Sequence, residues 1–186
     1  MTMKKYILVL AAILMVSAPL LQAQAGSFRI EGMVNYFQPS EEAFKDIYGS
    51  GMTYGGEIGI RIMDWLSVWA GADFYNQTGE LTFTGEETEL QIIPVYGGLM
   101  FELPNQQFHP YAAVGVGYFQ YKEENPIGSV DGGELGYIVQ AGVRITVISS
   151  LFFDIKGSYS ICKTQPADFE IELGGIKGGI GIGFEF

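Results

Sequence analysis

Eight stretches of the chain alternate apolar with polar or small residues at period 2, the pattern of strands that present two different faces. They fall near residues 28–37, 53–63, from 66 onward, 88–102, 111–121, 137–147, 151–160 and 176–186. In the second, Ile58, Ile60 and Ile62 oppose Glu57 and Arg61; in the third, Leu66, Val68, Ala70, Ala72 and Phe74 oppose Trp69, Asp73 and Tyr75. The sixth sets Tyr137, Val139, Ala141, Val143, Ile145 and Val147 against Gln140, Arg144 and Thr146. The fifth is apolar or small on both parities, and Ala112, Val114, Val116 and Tyr118 are read as its outer side. The last run continues to the final residue: Ile176, Gly178, Ile180, Ile182, Phe184 and Phe186 alternate with Lys177, three glycines and Glu185. A strand that grows greasier toward an aromatic carboxy-terminus suits a wall facing lipid.

The connections between these segments alternate in length. Those at 63–65, 103–109 and 148–150 are short, whereas 38–52, 121–134 and 162–172 are long. An even number of strands, each of about 10 residues, crosses a bilayer with both termini on one side. The expected fold is therefore all-β: a closed, antiparallel, eight-stranded transmembrane barrel with short periplasmic turns and longer extracellular loops. Residues 80–90, with Gly85-Glu86-Glu87 in the middle, read as a hairpin projecting beyond the membrane. A soluble barrel with the apolar parity inside is the alternative. Aromatic residues at strand ends (Tyr36, Tyr54, Trp65, Phe101, Tyr111, Tyr137, Phe184, Phe186) favour interfacial girdles instead.

The amino-terminal 25 residues read as a cleaved signal peptide: Lys4 and Lys5, a short apolar run, Pro19 and an Ala23-Gln24-Ala25 site, leaving residues 26–186 as the barrel domain. The single cysteine, Cys162, excludes an internal disulfide. Two short motifs carry a family resemblance. Pro110-Tyr111-Ala112-Ala113-Val114-Gly115-Val116-Gly117-Tyr118 resembles the Pro-Tyr-x-Gly-x-Gly-x-Gly-Tyr strand of small outer-membrane barrels of the OmpX/OmpA/OmpW type. The last strand resembles the assembly signal of such barrels, with Gly181, Phe184 and Phe186 at the expected positions and Gly179 where a polar residue is usual. The resemblance implies an eight-stranded barrel in the bacterial outer membrane, but members of this class adhere, anchor, transport and modify lipids, so fold does not choose among these roles.

Charge narrows the choice. Removing Lys4 and Lys5 takes the net charge from −11 to −13, which excludes the basic footprint of a nucleic-acid binder. The polar parity carries five cations and six anions: Arg29, Glu31, Glu57, Arg61, Asp73, Glu102, Arg144, Asp154, Lys156, Lys177 and Glu185. In a lumen narrow enough for side chains to fill, near-balance predicts interlocked ion pairs and a plugged interior. Fifteen further acidic residues remain, with clusters at Glu41-Glu42, Glu86-Glu87-Glu89, Glu123-Glu124, Asp131/Glu134 and Glu170/Glu172. They suit solvated outer loops, or oxygen ligands bridging divalent cations to lipopolysaccharide.

Catalysis finds no constellation. The lone histidine, His109, falls in an expected periplasmic turn, away from any outer-end serine, and no metal or cofactor motif is present. The leading expectation is thus a non-enzymatic barrel serving envelope stabilisation or surface adhesion. Its partners would be outer-membrane lipid, lipopolysaccharide and the barrel-assembly machinery. The alternative is passage of small hydrophobic molecules, or a narrow porin, with Trp69, Tyr75 and Tyr96 lining an apolar pocket in the outer half.

Overall fold

In a computed structural model, which describes residues 27–80, 87–103, 105, 107–126, 128–164 and 171–186, the alternating segments are strands of one closed barrel. The elements are β1 (Phe28–Pro39), α1 (Glu42–Tyr48), β2 (Gly51–Met63), β3 (Leu66–Glu80), β4 (Glu87–Glu102), β5 (Phe108–Asn125), β6 (Gly128–Ile148), β7 (Leu151–Ile161), β8 (Lys163–Thr164), β9 (Ile171–Glu172) and β10 (Gly175–Glu185). Neighbours in sequence pair antiparallel around the wall, and β10 returns to β1 in a register running from Arg29↔Glu185 to Pro39↔Gly175. The seam is tied at its end by a reciprocal pair: Phe28 N–H to the Phe186 carbonyl at 3.0 Å and Phe186 N–H to the Phe28 carbonyl at 2.8 Å. The two-residue strands β8 and β9 pair only with each other, beside the barrel mouth.

The faces follow the expected parity. Val114, Val116 and Tyr118 point outward, as do Ile58, Phe74, Leu99 and Phe153, while Ile180 near the middle of β10 is 65% exposed. An apolar exterior band over polar inward positions is the inversion that lipid requires. Among the described residues no helix is long and apolar enough to cross a membrane.

Glycine makes the interior possible. A bulky inward residue repeatedly sits beside a glycine of the adjacent strand in the ladder. Trp69 lies opposite Gly59 and Gly98; Tyr96 lies opposite Gly71 and Gly117. A Cβ on Gly71 would stand 2.7 Å from the Tyr96 ring and 2.7 Å from Glu57 Cγ, too close for either to stay. On β10, a Cβ on Gly181 would strike the Glu31 carboxylate. The glycine-rich last strand is thus the space into which the charges of β1 lean, consistent with the tight interiors of eight-stranded barrels.

Three expectations need correction. The connection at 121–134 is not a long loop. Its alternation persists, and β5 and β6 stay paired out to Asn125↔Gly128, where the Asn125 side-chain carbonyl accepts the Gly128 N–H at 3.0 Å and closes the turn. The connection at 38–52 contains helix α1, too short for its period to stand out in the sequence. Its Phe44, Ile47 and Tyr48 form one face at i, i+3 and i+4. Gly49 ends it at φ 68, a left-handed conformation that favours glycine. Tyr111, expected in a girdle, points inward. For the 80–90 hairpin, the arms pair from Asn76↔Gln91 to Glu80↔Glu87, and the tip at 81–86 lies outside the described residues.

Strands β3 to β6, of 15, 16, 18 and 21 residues, outrun the roughly 10 needed to span a bilayer. They form a four-stranded wall rising on one side of the mouth. The lipid-facing assignment has a direct consequence: Ile180→Arg should cost about 2–4 kcal/mol of unfolding free energy in lipid vesicles. Chemical denaturation of the refolded protein measures it, and a change below about 0.5 kcal/mol, typical of a water-exposed site, would contradict a lipid-facing wall.

Candidate functional site

All eleven inward charges of the sequence reading point into the barrel, and they sort into three levels. Nearest the termini, Glu102 on β4 is a hub: it pairs with Arg144, lies 3.6 Å from Arg29 and 3.5 Å from Arg61, and receives His109 Nδ1 at 3.2 Å. Arg61 also pairs with Glu185 at 2.6 Å, and the Ser27 hydroxyl donates to the same carboxylate. The thioether of Met100 takes the spare guanidinium edges of Arg29 at 3.1 Å and Arg144 at 3.5 Å. Arg144 further stacks over the Tyr111 ring at 4.9 Å. His109 is therefore a β5 residue facing a carboxylate, not a turn residue; its Nε2 meets the Thr146 hydroxyl at 3.3 Å.

At mid-height Lys156 gathers Glu31 at 3.1 Å, Glu57 at 3.2 Å and Asp154 at 3.6 Å. Tyr111 donates to Asp154 at 2.6 Å and Gln140 to Glu57 at 3.4 Å. This places Tyr111 inside because the phenol is a donor that the acidic level needs. The third level is one pair, Lys177 with Asp73, with the Lys177 ammonium 5.3 Å from the centre of the Tyr96 ring.

Above the third level the interior changes character. Phe37, Phe44, Tyr48, Tyr75, Leu90, Ile92, Phe119, Cys162 and Leu173 form a buried apolar cluster across the mouth. Helix α1 forms its roof: Phe44 packs on Tyr75 with ring centres 6.2 Å apart, and Phe37 meets Tyr75 edge-on at 5.2 Å. The Tyr48 hydroxyl contacts the Thr88 hydroxyl at 3.2 Å, which in turn donates to Glu123 at 3.2 Å and fastens the helix to the tall wall. Desolvation in this roof pushes the Tyr48 phenol well above its ordinary range.

Trp69, Tyr75 and Tyr96 do not share one pocket. Trp69 and Tyr96 pack together at 5.2 Å in a lower cluster with Met100, Tyr111, Ala113 and Ile138. Only Tyr75 belongs to the apolar chamber, because its position on β3 is six residues, or about 20 Å, beyond Trp69. A cavity of about 20 Å³, room for one or two waters, lies where chamber and third level meet. Tyr75, Ile92, Pro94 and Phe119 are among the residues on its walls, with Asp73 and Lys177 at its polar end.

Pro94 was not singled out by the sequence reading, although a proline inside Ile92-Ile93-Pro94-Val95 breaks the rule that prolines avoid central strands. Its consequence is visible in the ladder. β3 and β4 pair at Ala72↔Val95 and again at Tyr75↔Ile92, but the two steps between them, Asp73 and Phe74 against Pro94 and Ile93, are missing. Pro94 still pairs with Phe119 on the other side. Proline has no N–H to give, so the wall is locally unstitched beside the cavity. The described residues contain no group of three or more metal-ligating side chains.

A closed eight-stranded barrel with an apolar exterior and a paired, charged interior is the architecture of a bacterial outer-membrane protein. The family model described as "Outer membrane protein beta-barrel domain" matches residues 8–184, and the chain belongs to that family. No curated protein matches the sequence. Among solved structures, the chain is similar to the outer membrane protein OprG of Pseudomonas aeruginosa at 15% identity and a TM-score of 0.69, covering 88% of this chain and 97% of that one. It is similar to Ail, the attachment invasion locus protein of Yersinia pestis, in complex with the heparin analogue sucrose octasulfate, at 14% identity and 0.59, covering 88% and 100%. Neisserial surface protein A matches at 16% and 0.58, covering 87% and 99%. At such identities these likenesses establish the fold.

The paired interior makes one sharp demand. Lys156→Met should cost about 3–5 kcal/mol, because three carboxylates lose their common cation in a buried site. Equilibrium refolding into vesicles measures it; a loss under 1 kcal/mol would mean the acids are relieved by water rather than by Lys156.

Proposed function

We propose that this barrel is a non-enzymatic conduit that takes small apolar molecules from the cell exterior and delivers them sideways into the membrane. The observation that carries the reading is the buried apolar cluster in the outer half, with its cavity of about 20 Å³, set beside the unstitched stretch of wall at Pro94. Barrels of this kind ordinarily have polar interiors. A plug needs only filled space, and the ion-paired levels already provide that; aromatic and aliphatic lining adds affinity for apolar solutes. In this reading the three charged levels are a floor that blocks descent to the periplasm, since an apolar solute crossing them would separate buried pairs at several kcal/mol each. Helix α1 is the movable roof, and the gap between β3 and β4 is the exit.

Export through the amino-terminal signal and assembly through the terminal Phe184 and Phe186, which project to the lipid side, accompany this proposal. Surface adhesion is the second reading, favoured by the acidic four-stranded wall with Glu87, Glu89, Glu123, Glu124 and Asp131 above the membrane. Envelope stabilisation through cation bridges to lipopolysaccharide would use the same carboxylates.

Replacing Pro94 separates conduit from surface roles. Pro94→Ala supplies the missing N–H, allows β3 and β4 to pair, and should lower uptake of a fluorescent apolar probe by cells several-fold. The variant should fold with equal or greater stability. Undiminished uptake with an intact barrel would remove the lateral exit and return the leading place to the surface roles.

A further inference from the structure

The polar end of the chamber cavity assigns a chemical class to the molecules that enter it, and this inference rests on the conduit reading above. Asp73 is 3% exposed and lines the cavity; one of its oxygens pairs with Lys177, and the other, Oδ1, has no hydrogen-bond partner. A buried carboxylate oxygen left unpaired costs free energy, so it favours any ligand that brings a donor. Of the nearby hydroxyls, Thr53 accepts from the Asn35 amide at 3.4 Å, Ser160 donates to the Gly175 carbonyl at 3.5 Å, and the Tyr96 phenol lies close to the Asp73 carboxylate, yet none of them bonds to Oδ1. Lys177, by contrast, carries three N–H donors, and its other close neighbour is the Tyr96 ring face. An acceptor without a donor thus sits beside a cation able to donate further, under walls that are otherwise apolar.

We propose that the chamber selects small apolar molecules bearing one hydroxyl group, aliphatic or aromatic alcohols, over the corresponding hydrocarbons. The resting cavity of about 20 Å³ has room only for water, so the ligand enters with the α1 roof lifted, as the conduit reading requires. Its hydroxyl donates to Asp73 Oδ1 and accepts from the Lys177 ammonium, while its hydrocarbon body lies against Tyr75, Ile92 and Phe119. The geometry favours an alcohol over a carboxylic acid, because a second carboxylate would crowd Asp73 against a single cation. It favours an alcohol over an alkane for the converse reason. The cavity has room for water, so a ligand that enters must displace it; a hydroxyl then supplies Asp73 with the donor a water would give, and a methyl group does not. Sites built around a buried polar group reject ligands that leave it unpaired, whereas apolar walls discriminate weakly between isosteres.

Binding of 1-hexanol, hexane and hexanoate to the full mature chain in lipid nanodiscs tests this, at matched concentrations in the bilayer. Trp65→Phe leaves Trp69, buried in the neighbouring cluster, as the only tryptophan and the fluorescence reporter. The expected result is hexanol binding about tenfold or more tighter than hexane or hexanoate. The paired replacement Asp73→Leu with Lys177→Met removes both charges together, which spares the fold an unpaired ion. It should keep hexane binding and abolish the preference; Asp73→Asn, which retains an acceptor oxygen, should keep part of it. Equal affinity for hexanol and hexane, or a preference that survives the paired replacement, overturns the assignment of Asp73 and leaves the conduit intact. Failure of all three probes to bind overturns both.

Discussion

Every backbone N–H and C=O in the hydrocarbon core must find a partner within the wall, because lipid offers none. That requirement explains the unbroken β1–β10 register, the reciprocal bonds between Phe28 and Phe186, and the absence of a free edge along the spanning part of the barrel. Closure with eight strands leaves an interior so narrow that side chains must be fitted one against another. The gap at Pro94 gains its meaning against this background. In a soluble sheet two missing ladder steps would be unremarkable, since water would solvate the carbonyls. In a membrane wall the same gap requires an interior feature that tolerates it, and it lies beside the chamber cavity.

The interior is stratified by polarity. Cations and anions occupy the terminal and middle levels in shared contacts, among them the Met100 sulfur that faces two arginines. The apolar chamber lies above them, separated by the single Asp73–Lys177 pair. Ion pairs of this kind contribute little net stability against apolar replacements, but once placed they are costly to separate. A floor of such pairs is therefore rigid in a way that a packed hydrocarbon roof is not.

Much of this was legible from alternation alone. Period 2 locates the wall, because in every barrel strand but β5 the lipid-facing parity is apolar and the inward parity carries the charges; Arg144, Asp154 and Lys156 could hardly face elsewhere. What alternation cannot carry is height. Trp69, Tyr75 and Tyr96 all face inward, yet Tyr75 lies six residues along β3 from Trp69, and the register that sets Tyr96 opposite Gly71 puts it with Trp69. Helix α1 escaped notice because seven residues are too few to show a period, and its docking depends on Tyr75 and Thr88 from distant strands. Tyr111 and His109 lie at a strand end where girdle, turn and interior are a residue apart, and their partners Asp154 and Glu102 decide the matter. Pro94 was in plain view, and its violation of a strand rule was the available signal.

The habit of setting bulky inward residues such as Trp69 and Tyr96 opposite glycines has a consequence for how such a chain can change over generations. Space inside the wall is held jointly by adjacent strands, so neither member of a pair such as Trp69 and Gly98 is free to drift alone. A larger residue gained on one strand demands a smaller one on its neighbour, and that exchange passes around the ring through Gly71, Tyr96 and Gly117. Descendants of this sequence should thus differ from it in coupled substitutions that follow the hydrogen-bonded register, a lattice of exchanges that no single strand records.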